Sequence, residues 1–403
     1  MAAVKSDIIV VGGGPTGAFS ALQATKLGAE VTVCEEHDRA SGPSHCTGHV
    51  SLTGMKHLGL KLPEGLVENE IKSASFYSPS GCKFSVRFPA SISCVINRGL
   101  FDQWLLDKSV DAGARVFHHT RVKSLLIREG SVKGVVVRRD GEFREIASRV
   151  VVDAEGVSCN LVKRARLLPA HRRLIVRGIH AEVDRVQGVD EDTVEVFLSR
   201  SLAPGFFAWI VPRRDGTAKI GLGTESGSPR DCLHNFVNHN QIASPKLKRS
   251  HITCETYHPI PLGGPISKTF YDGLLIVGDA ASQVKPTTGG GLISGLSCAK
   301  IAGEVAAQAV QMGNSSDFLA EYERRWKKKI GFEMNMMKWI RLILNRLGDR
   351  KLDQLITLCT RLTLDDTLVK VRDIDFQGTS LIQIAMSPRL MATGLYFLIA
   401  SFL

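Results

Sequence analysis

The stretch Ile8-Ile9-Val10-Val11-Gly12-Gly13-Gly14-Pro15-Thr16-Gly17 decides how the rest of the chain is read. Four consecutive apolar residues deliver a buried strand to a turn. There Gly12 and Gly14 let a pyrophosphate approach the backbone, and Gly17 lets the following helix pack close to the sheet. The unpaired N–H groups at that helix start face the phosphates. At the spacing of about twenty residues that such units show, Glu35 closes a second apolar run, Glu30-Val31-Thr32-Val33-Cys34-Glu35. A carboxylate there accepts hydrogen bonds from both hydroxyls of an adenosine ribose and disfavours a 2′-phosphate. Gly12, Gly14, Pro15, Thr16, Gly17 and Glu35 are therefore expected at a dinucleotide. The same spacing also serves nicotinamide cofactors, so this segment alone does not choose among them.

Two later features repeat the pattern of a buried strand ending in an acid. Val150-Val151-Val152-Asp153-Ala154-Glu155-Gly156 is one, and Gly273-Leu274-Leu275-Ile276-Val277-Gly278-Asp279 is the other. After Gly278, Asp279 is placed where a carboxylate can hold the ribityl chain of a flavin. Behind it Pro286-Thr287-Thr288-Gly289-Gly290-Gly291 opens a helix whose positive end can stabilise charge on a reduced isoalloxazine.

Three such features in this order resemble the FAD-binding fingerprints of the large flavoprotein family that includes the aromatic hydroxylases and the geranylgeranyl reductases. The resemblance implies FAD as cofactor, with Asp153, Gly156, Gly278, Asp279, Gly289, Gly290 and Gly291 beside it and Arg98, at the start of the helix from Phe101 to Ala112, in contact with it. A second segment narrows the family. Ala203-Pro204-Gly205-Phe206-Phe207-Ala208-Trp209-Ile210-Val211-Pro212, followed by Gly221-Leu222-Gly223, resembles the substrate motif of the geranylgeranyl reductases, Tyr-x-Trp/Phe-x-Phe-Pro with a following Gly-x-Gly. Phe207 stands for the tyrosine and Val211 for the phenylalanine. Cys46-Thr47-Gly48 is similar to the cysteine loop that these reductases carry near the flavin face.

That resemblance implies a reductase saturating C=C bonds of geranylgeranyl chains, most naturally those of archaeal-type membrane lipids. Phe206, Phe207, Trp209, Pro212, Gly221 and Gly223 would line the substrate, and Cys46 would act in catalysis. An isolated alkene accepts hydride poorly, because no carbonyl takes up the charge. Protonation at one carbon makes the other cationic, and aromatic faces stabilise such a centre by about one or two kcal/mol each in a dry site. Two other functions share the fold: a flavin monooxygenase or halogenase, and a non-catalytic prenyl-binding escort. The halogenase pattern Trp-x-Trp-x-Ile-Pro lacks its first tryptophan and its isoleucine in Phe207-Ala208-Trp209-Ile210-Val211-Pro212, and an escort does not need the intact flavin residues found here.

Composition sets the bounds. With 44% apolar and 23% charged residues, the 403-residue chain reads as a folded globular protein. Its fingerprints run from residue 12 to residue 291, so the nucleotide domain is assembled from separated segments. The expected class is α/β: a Rossmann-like FAD-binding domain (1–72, 98–165, 266–315), an inserted antiparallel-sheet substrate domain (73–97, 166–265) and a C-terminal helical region (316–403). The net charge of +11 favours anionic partners. Scattered basic residues and the short run Lys327-Lys328-Lys329 do not make a nucleic-acid module. Nine cysteines without a C-x-x-C pair suit a reducing cytoplasm. His45 and His49 flank Cys46 without a fourth ligand, so no metal is expected.

Met334 to Leu347 sets Trp339, Ile340, Ile343 and Leu347 at helical spacing against Lys338, Arg341 and Arg346, and Leu390 to Leu403 is apolar but too short to span a bilayer. Both predict peripheral attachment to the inner face of the cell membrane. No second nucleotide site is recognisable, so electrons are expected from an external donor: NADPH, coenzyme F420 or a ferredoxin.

Overall fold

A computed structural model describes residues 5–38, 46–171, 174–313, 316–369 and 375. The chain forms two compact units: 1–43, 98–171 and 263–335 in the first, and 44–97, 172–262 and 336–403 in the second. Together they are the expected α/β class, with a Rossmann-like sheet in one unit and a largely antiparallel sheet in the other.

The core of the first unit is a sheet whose main order is Phe270–Tyr271, Leu274–Ile276, Glu142–Asp153, Lys5–Val11, Val31–Cys34, Arg115–Phe117. Its central strands pair in parallel, Ile8 opposite Val150 on one side and Val31 on the other. Those strands are apolar on both faces because both faces are buried. Arg121–Arg128 and Ser131–Arg139 extend the sheet antiparallel from Glu142–Asp153. Asp140 and Gly141 both adopt positive φ at the hairpin tip, the geometry that this dipeptide favours. Helix Pro15–Lys26 crosses helix Leu292–Gln311 at backbone contact. A Cβ at Gly303 would stand 2.3 Å from the Ser20 carbonyl, and the Ser20 hydroxyl donates to the Ala299 carbonyl at 3.1 Å.

In the second unit seven strands run in the order Ile252–Pro261, Ile175–Val183, Ala218–Thr224, Ala208–Pro212, Thr193–Phe197, Ser73–Tyr77, Lys83–Arg87. One pair, Thr193–Phe197 with Ser73–Tyr77, is parallel, and the others are antiparallel. Leu233, Phe236 and Leu247 pack on Ile179, Ile210, Ile220 and Leu222, covering one face. Alternation along Ala208–Pro212 sends Trp209 and Val211 to the other face, where they meet Ile71 and Val95. A three-stranded sheet, His49–Ser51, Ser93–Ile96, Val67–Ile71, supplies those partners. The unit thus takes in residues up to 72 that the sequence reading grouped with the nucleotide domain. A buried ion pair joins the two sheets: Lys219 Nζ donates to Glu68 Oε2 at 2.5 Å and to the Ile96 carbonyl at 3.2 Å.

Helix Phe332–Leu344 corrects the expected amphipathic pattern. Arg341, grouped with Lys338 and Arg346 on the basic face, is 5% exposed, while Trp339 is 64% exposed. The reason is stacking: the Arg341 guanidinium lies 4.8 Å from the centre of the Phe206 ring, which lets a cation occupy the inner face. Lys338 and Arg346 are exposed as expected. Leu390 to Leu403 lies outside the described residues.

Candidate functional site

The first unit builds its site from backbone. Gly12 has φ +94° and a Cβ there would meet the Ala154 carbonyl at 2.6 Å. At Gly17 a Cβ would lie 2.0 Å from the Gly12 carbonyl, which is why the helix can start so close to the strand. Around Gly14, by contrast, the space is open, and no side chain caps the helix that Pro15 begins. Its first N–H groups therefore remain available to an anion. Glu35, 7% exposed, has Oε2 accepting from Gly13 N at 2.6 Å and Oε1 accepting from His37 N at 2.9 Å. The carboxylate is thus oriented beside the glycine turn, with lone pairs left for ribose hydroxyls.

Thr16 ties this turn to the later fingerprint. A Cβ at Gly278 would stand 2.7 Å from Thr16 Oγ1, and one at Gly295 would stand 2.8 Å from Thr16 Cγ2. The helix beginning at Leu292 also lacks a side-chain cap, and Asp279 Oδ1 would be 3.2 Å from a Cβ at Gly291, at the foot of that helix. Two uncapped helix starts and two carboxylates thus converge in one unit. Gly289, at φ +71°, closes the loop before the second helix through its N–H to the Lys285 carbonyl at 2.9 Å, and Gly290 packs on the Lys285 side chain. Gly156, at φ +71°, has nothing within reach of a Cβ.

Asp153 and Arg98 take less direct positions. Asp153 is 0% exposed and its Oδ1 accepts from Glu155 N at 3.0 Å. Burial, reinforced by the Glu155 charge, pushes its carboxyl well above the usual carboxylate range. Arg98 is held in a two-point pair with Asp102, Nε to Oδ1 at 3.1 Å and Nη2 to Oδ2 at 3.0 Å.

The second unit builds with side chains. Phe206 stacks on Phe207 with ring centres 4.1 Å apart, and Trp209 meets Phe207 edge-on at 5.9 Å. Trp209 pairs across strands with Gly221, and a Cβ at Gly221 would lie 2.5 Å from the indole Cζ2. A Cβ at Gly223 would lie 2.7 Å from Phe206 Cδ1. The Gly-x-Gly is therefore the bed on which the aromatic rings lie. Pro212 ends the same strand, opposite Ala218. Cys46 is half-buried, its Sγ accepting from Gly48 N at 3.4 Å, in the loop that leads into His49–Ser51. His49 is engaged with Ser93 Oγ at 2.7 Å, and His45 lies outside the described residues.

Glycines open to solvent, helix starts without side-chain caps and carboxylates placed for sugar hydroxyls are a donor and acceptor set that fits FAD. The model of the FAD binding domain family matches residues 5–328. Over 361 residues the chain is 36% identical to digeranylgeranylglycerophospholipid reductase 2 of Methanothermobacter thermautotrophicus, covering 88% of this chain and 91% of that one. The chain belongs to the digeranylgeranylglycerophospholipid reductase family. It is also 35% identical to the digeranylgeranylglycerophospholipid reductase of Methanocaldococcus jannaschii, with 87% and 89% of the two chains covered. A geranylgeranyl bacteriochlorophyll reductase-like protein from Thermoplasma acidophilum shares the fold, with a TM-score of 0.86 at 24% identity over 95% of this chain and 96% of that one. A flavin-dependent brominase shares it at a TM-score of 0.71 and 17% identity, over 92% and 93% of the two chains. The chain is an FAD-dependent oxidoreductase.

Sequence reading missed a support beneath Asp279. Gln283, fully buried, accepts from Gly278 N at 2.9 Å through Oε1 and donates to the Tyr322 hydroxyl at 2.8 Å, which in turn donates to the Ile276 carbonyl at 2.8 Å. Helix Ser316–Trp326, which carries Tyr322, therefore belongs to the nucleotide unit rather than to a separate helical region. No local pattern marks a glutamine as a turn support. Arg341 was missed for the opposite reason, since a basic residue in an amphipathic helix reads as solvent-facing.

Proposed function

We propose that this chain saturates C=C bonds of geranylgeranyl chains on archaeal-type membrane glycerolipids. The reading is carried by likeness, across nearly nine tenths of both chains, to proteins named digeranylgeranylglycerophospholipid reductase. Gly12, Gly14, Pro15, Thr16 and Gly17 hold the FAD pyrophosphate with backbone N–H groups, Glu35 takes the adenosine ribose, and Asp279 takes the ribityl chain. Gly156, Gly278 and Gly289 to Gly291 keep the backbone close to the cofactor, Arg98 contacts it, and Asp153 supports the turn at Glu155 from below. The chemistry that FAD supplies when bound is hydride delivery from N5 of its reduced ring.

The chain's own residues do the rest. Phe206, Phe207 and Trp209, lying over Gly221 and Gly223 and followed by Pro212, keep water from the alkene and face the carbon that becomes electron-poor. Each ring contributes about one or two kcal/mol. Cys46 donates the proton or positions the donor. Reducing equivalents come from an external donor, NADPH, coenzyme F420 or a ferredoxin.

Among the described residues no helix is long and apolar enough to cross a membrane. The protein works in the cytoplasm at the inner face of the cell membrane, where exposed Trp339 beside Lys338 and Arg346 suits an anionic lipid surface. The test is product mass from the FAD-loaded enzyme, a reductant and digeranylgeranylglyceryl phosphate. Saturation adds two hydrogens per reduced bond, whereas an added oxygen or halogen atom would move the chain to the monooxygenase or halogenase reading.

A further inference from the structure

Gln283 is fully buried behind the turn that carries Asp279 and is bonded to the helix that begins at Leu292. Its own N–H donates to the Gly278 carbonyl at 3.0 Å, and its Oε1 accepts from Gly278 N at 2.9 Å. Its carbonyl accepts from Ser294 Oγ at 2.7 Å, in the first turn of the helix. Its Nε2 donates to the Tyr322 hydroxyl at 2.8 Å. One residue therefore grips both features assigned to the flavin above, the turn with the ribityl acid and the positive end of the helix.

Chemistry sets the direction of each bond in this chain. Gly278 N can only donate, so the Gln283 oxygen faces it and the amide nitrogen faces Tyr322. Tyr322 accepts that N–H and sends its single proton to the Ile276 carbonyl at 2.8 Å. Burial pushes the Tyr322 hydroxyl well above its ordinary value, so it keeps the proton across the neutral range. The N–H of Ile276 donates to the Thr269 carbonyl at 2.9 Å. Thr269 is held in turn from helix Ser316–Trp326: its N–H donates to Glu323 Oε2 at 2.7 Å, and its hydroxyl accepts from Trp326 Nε1 at 2.8 Å. With Thr269 and Tyr322 fully buried, loss of one member strands the next. Thr16 closes the other side, because a Cβ at Gly278 would stand 2.7 Å from its Oγ1 and one at Gly295 would stand 2.8 Å from its Cγ2. The turn and the helix start thus have one tight relative placement, held from behind by Gln283.

We propose that Gln283 and Tyr322 are positioning residues for the flavin: they fix the Asp279 turn against the positive end of helix Leu292–Gln311, and so set how much more tightly the chain holds reduced than oxidised FAD. Both act through Gly278, and Gln283 acts through Ser294 as well. The cause is distance. A helix start favours a negatively charged reduced ring over a neutral oxidised one, and that effect falls off within the first turn. A small shift of the helix start against the turn therefore weakens the reduced complex most. This inference rests on the assignment of Asp279 and the helix start to FAD given above.

The test reads the flavin rather than turnover. Midpoint potential and the affinities for oxidised and reduced FAD are measured for the parent, Tyr322→Phe, Gln283→Met, Ser294→Ala and Asp279→Ala, with unfolding temperatures alongside. Tyr322→Phe and Gln283→Met should each weaken reduced FAD about tenfold more than oxidised FAD, a fall in potential of about 30 mV for the two-electron couple. Ser294→Ala removes one bond and little volume, so it keeps the fold and should move the potential the same way by less. It decides the matter if the other two fail to fold. An affinity ratio at the parental value in every variant that folds, however far unfolding temperatures drop, makes the network a packing device and overturns the proposal. Asp279→Ala separates this from the site assignment. If it weakens FAD while the network variants leave the potential alone, only the positioning role falls; if it leaves FAD affinity untouched, the assignment beneath the proposal is wrong and the proposal falls with it.

Discussion

The two units make their sites by different means. In the first, the surface proposed for the cofactor is main chain: open positions at Gly14 and Gly156, the turn at Gly12, and two helix starts that no side chain caps. In the second it is side chains lying on main chain, with Trp209 over Gly221 and Phe206 over Gly223. A backbone site is unforgiving because a carbonyl cannot move aside, whereas a ring can tilt. The first kind suits a cofactor that never changes, and the second suits a pocket that must accept a long, flexible chain.

The sharpest break in that contrast comes from glycine replacements. Gly17→Val forces a side chain against the Gly12 carbonyl, 2.0 Å from the new Cβ, and should cost more than about 4 kcal/mol, leaving unstable, colourless protein. Gly223→Val, whose new side chain would meet only the side chains of Phe206 and Val176, drives the Phe206 ring off its bed yet should leave the flavin bound, with turnover down about a hundredfold from misplaced rings. Flavin absorbance per chain, alongside turnover, reads both. Flavin loss in Gly223→Val to the level of Gly17→Val would dissolve the distinction.

A smaller effect tests the loop before the three-stranded sheet. Cys46→Ser should lower kcat about tenfold or more while flavin content stays near that of the parent. Unchanged turnover leaves the thiol as a packing group.

The mildest prediction concerns Asp153, which is fully buried with its carboxyl pushed far above its ordinary value. A carboxyl raised in this way contributes stability that is complete below its unfolded-state value near 4 and is lost as pH rises through the folded one. Asp153→Asn keeps the neutral acceptor for Glu155 N and removes that loss. The variant should be no less stable than the parent at neutral and alkaline pH, by thermal unfolding, and should hold FAD. Flavin loss at every pH would instead put the carboxyl in direct contact with the cofactor.

The same contrast explains what the sequence made legible. Glycine spacing is local, so Gly12 to Gly17, Glu35 and the strand ending at Asp279 could be read from a few residues each. The Phe206 to Gly223 segment was legible because Trp209 and the glycines lie on adjacent strands of one hairpin, with Phe206 and Phe207 just before the first strand. Arg341 could not be read, because its position depends on Phe206, distant in sequence, and the helical pattern assigns a cation to water by default. Gln283 and Tyr322 were hidden for a related reason: a hydrogen-bonded support beneath a turn has no periodicity.

The central claim is that this chain passes electrons from its flavin to a prenyl C=C bond. An anaerobic half-reaction tests it most directly: enzyme reduced in the absence of oxygen is mixed with digeranylgeranylglyceryl phosphate, and flavin absorbance is followed beside product mass. The account predicts that oxidised-flavin absorbance returns without oxygen, with one bond saturated for each flavin reoxidised. A flavin that stays reduced with the lipid present and reoxidises only when air is admitted would contradict it.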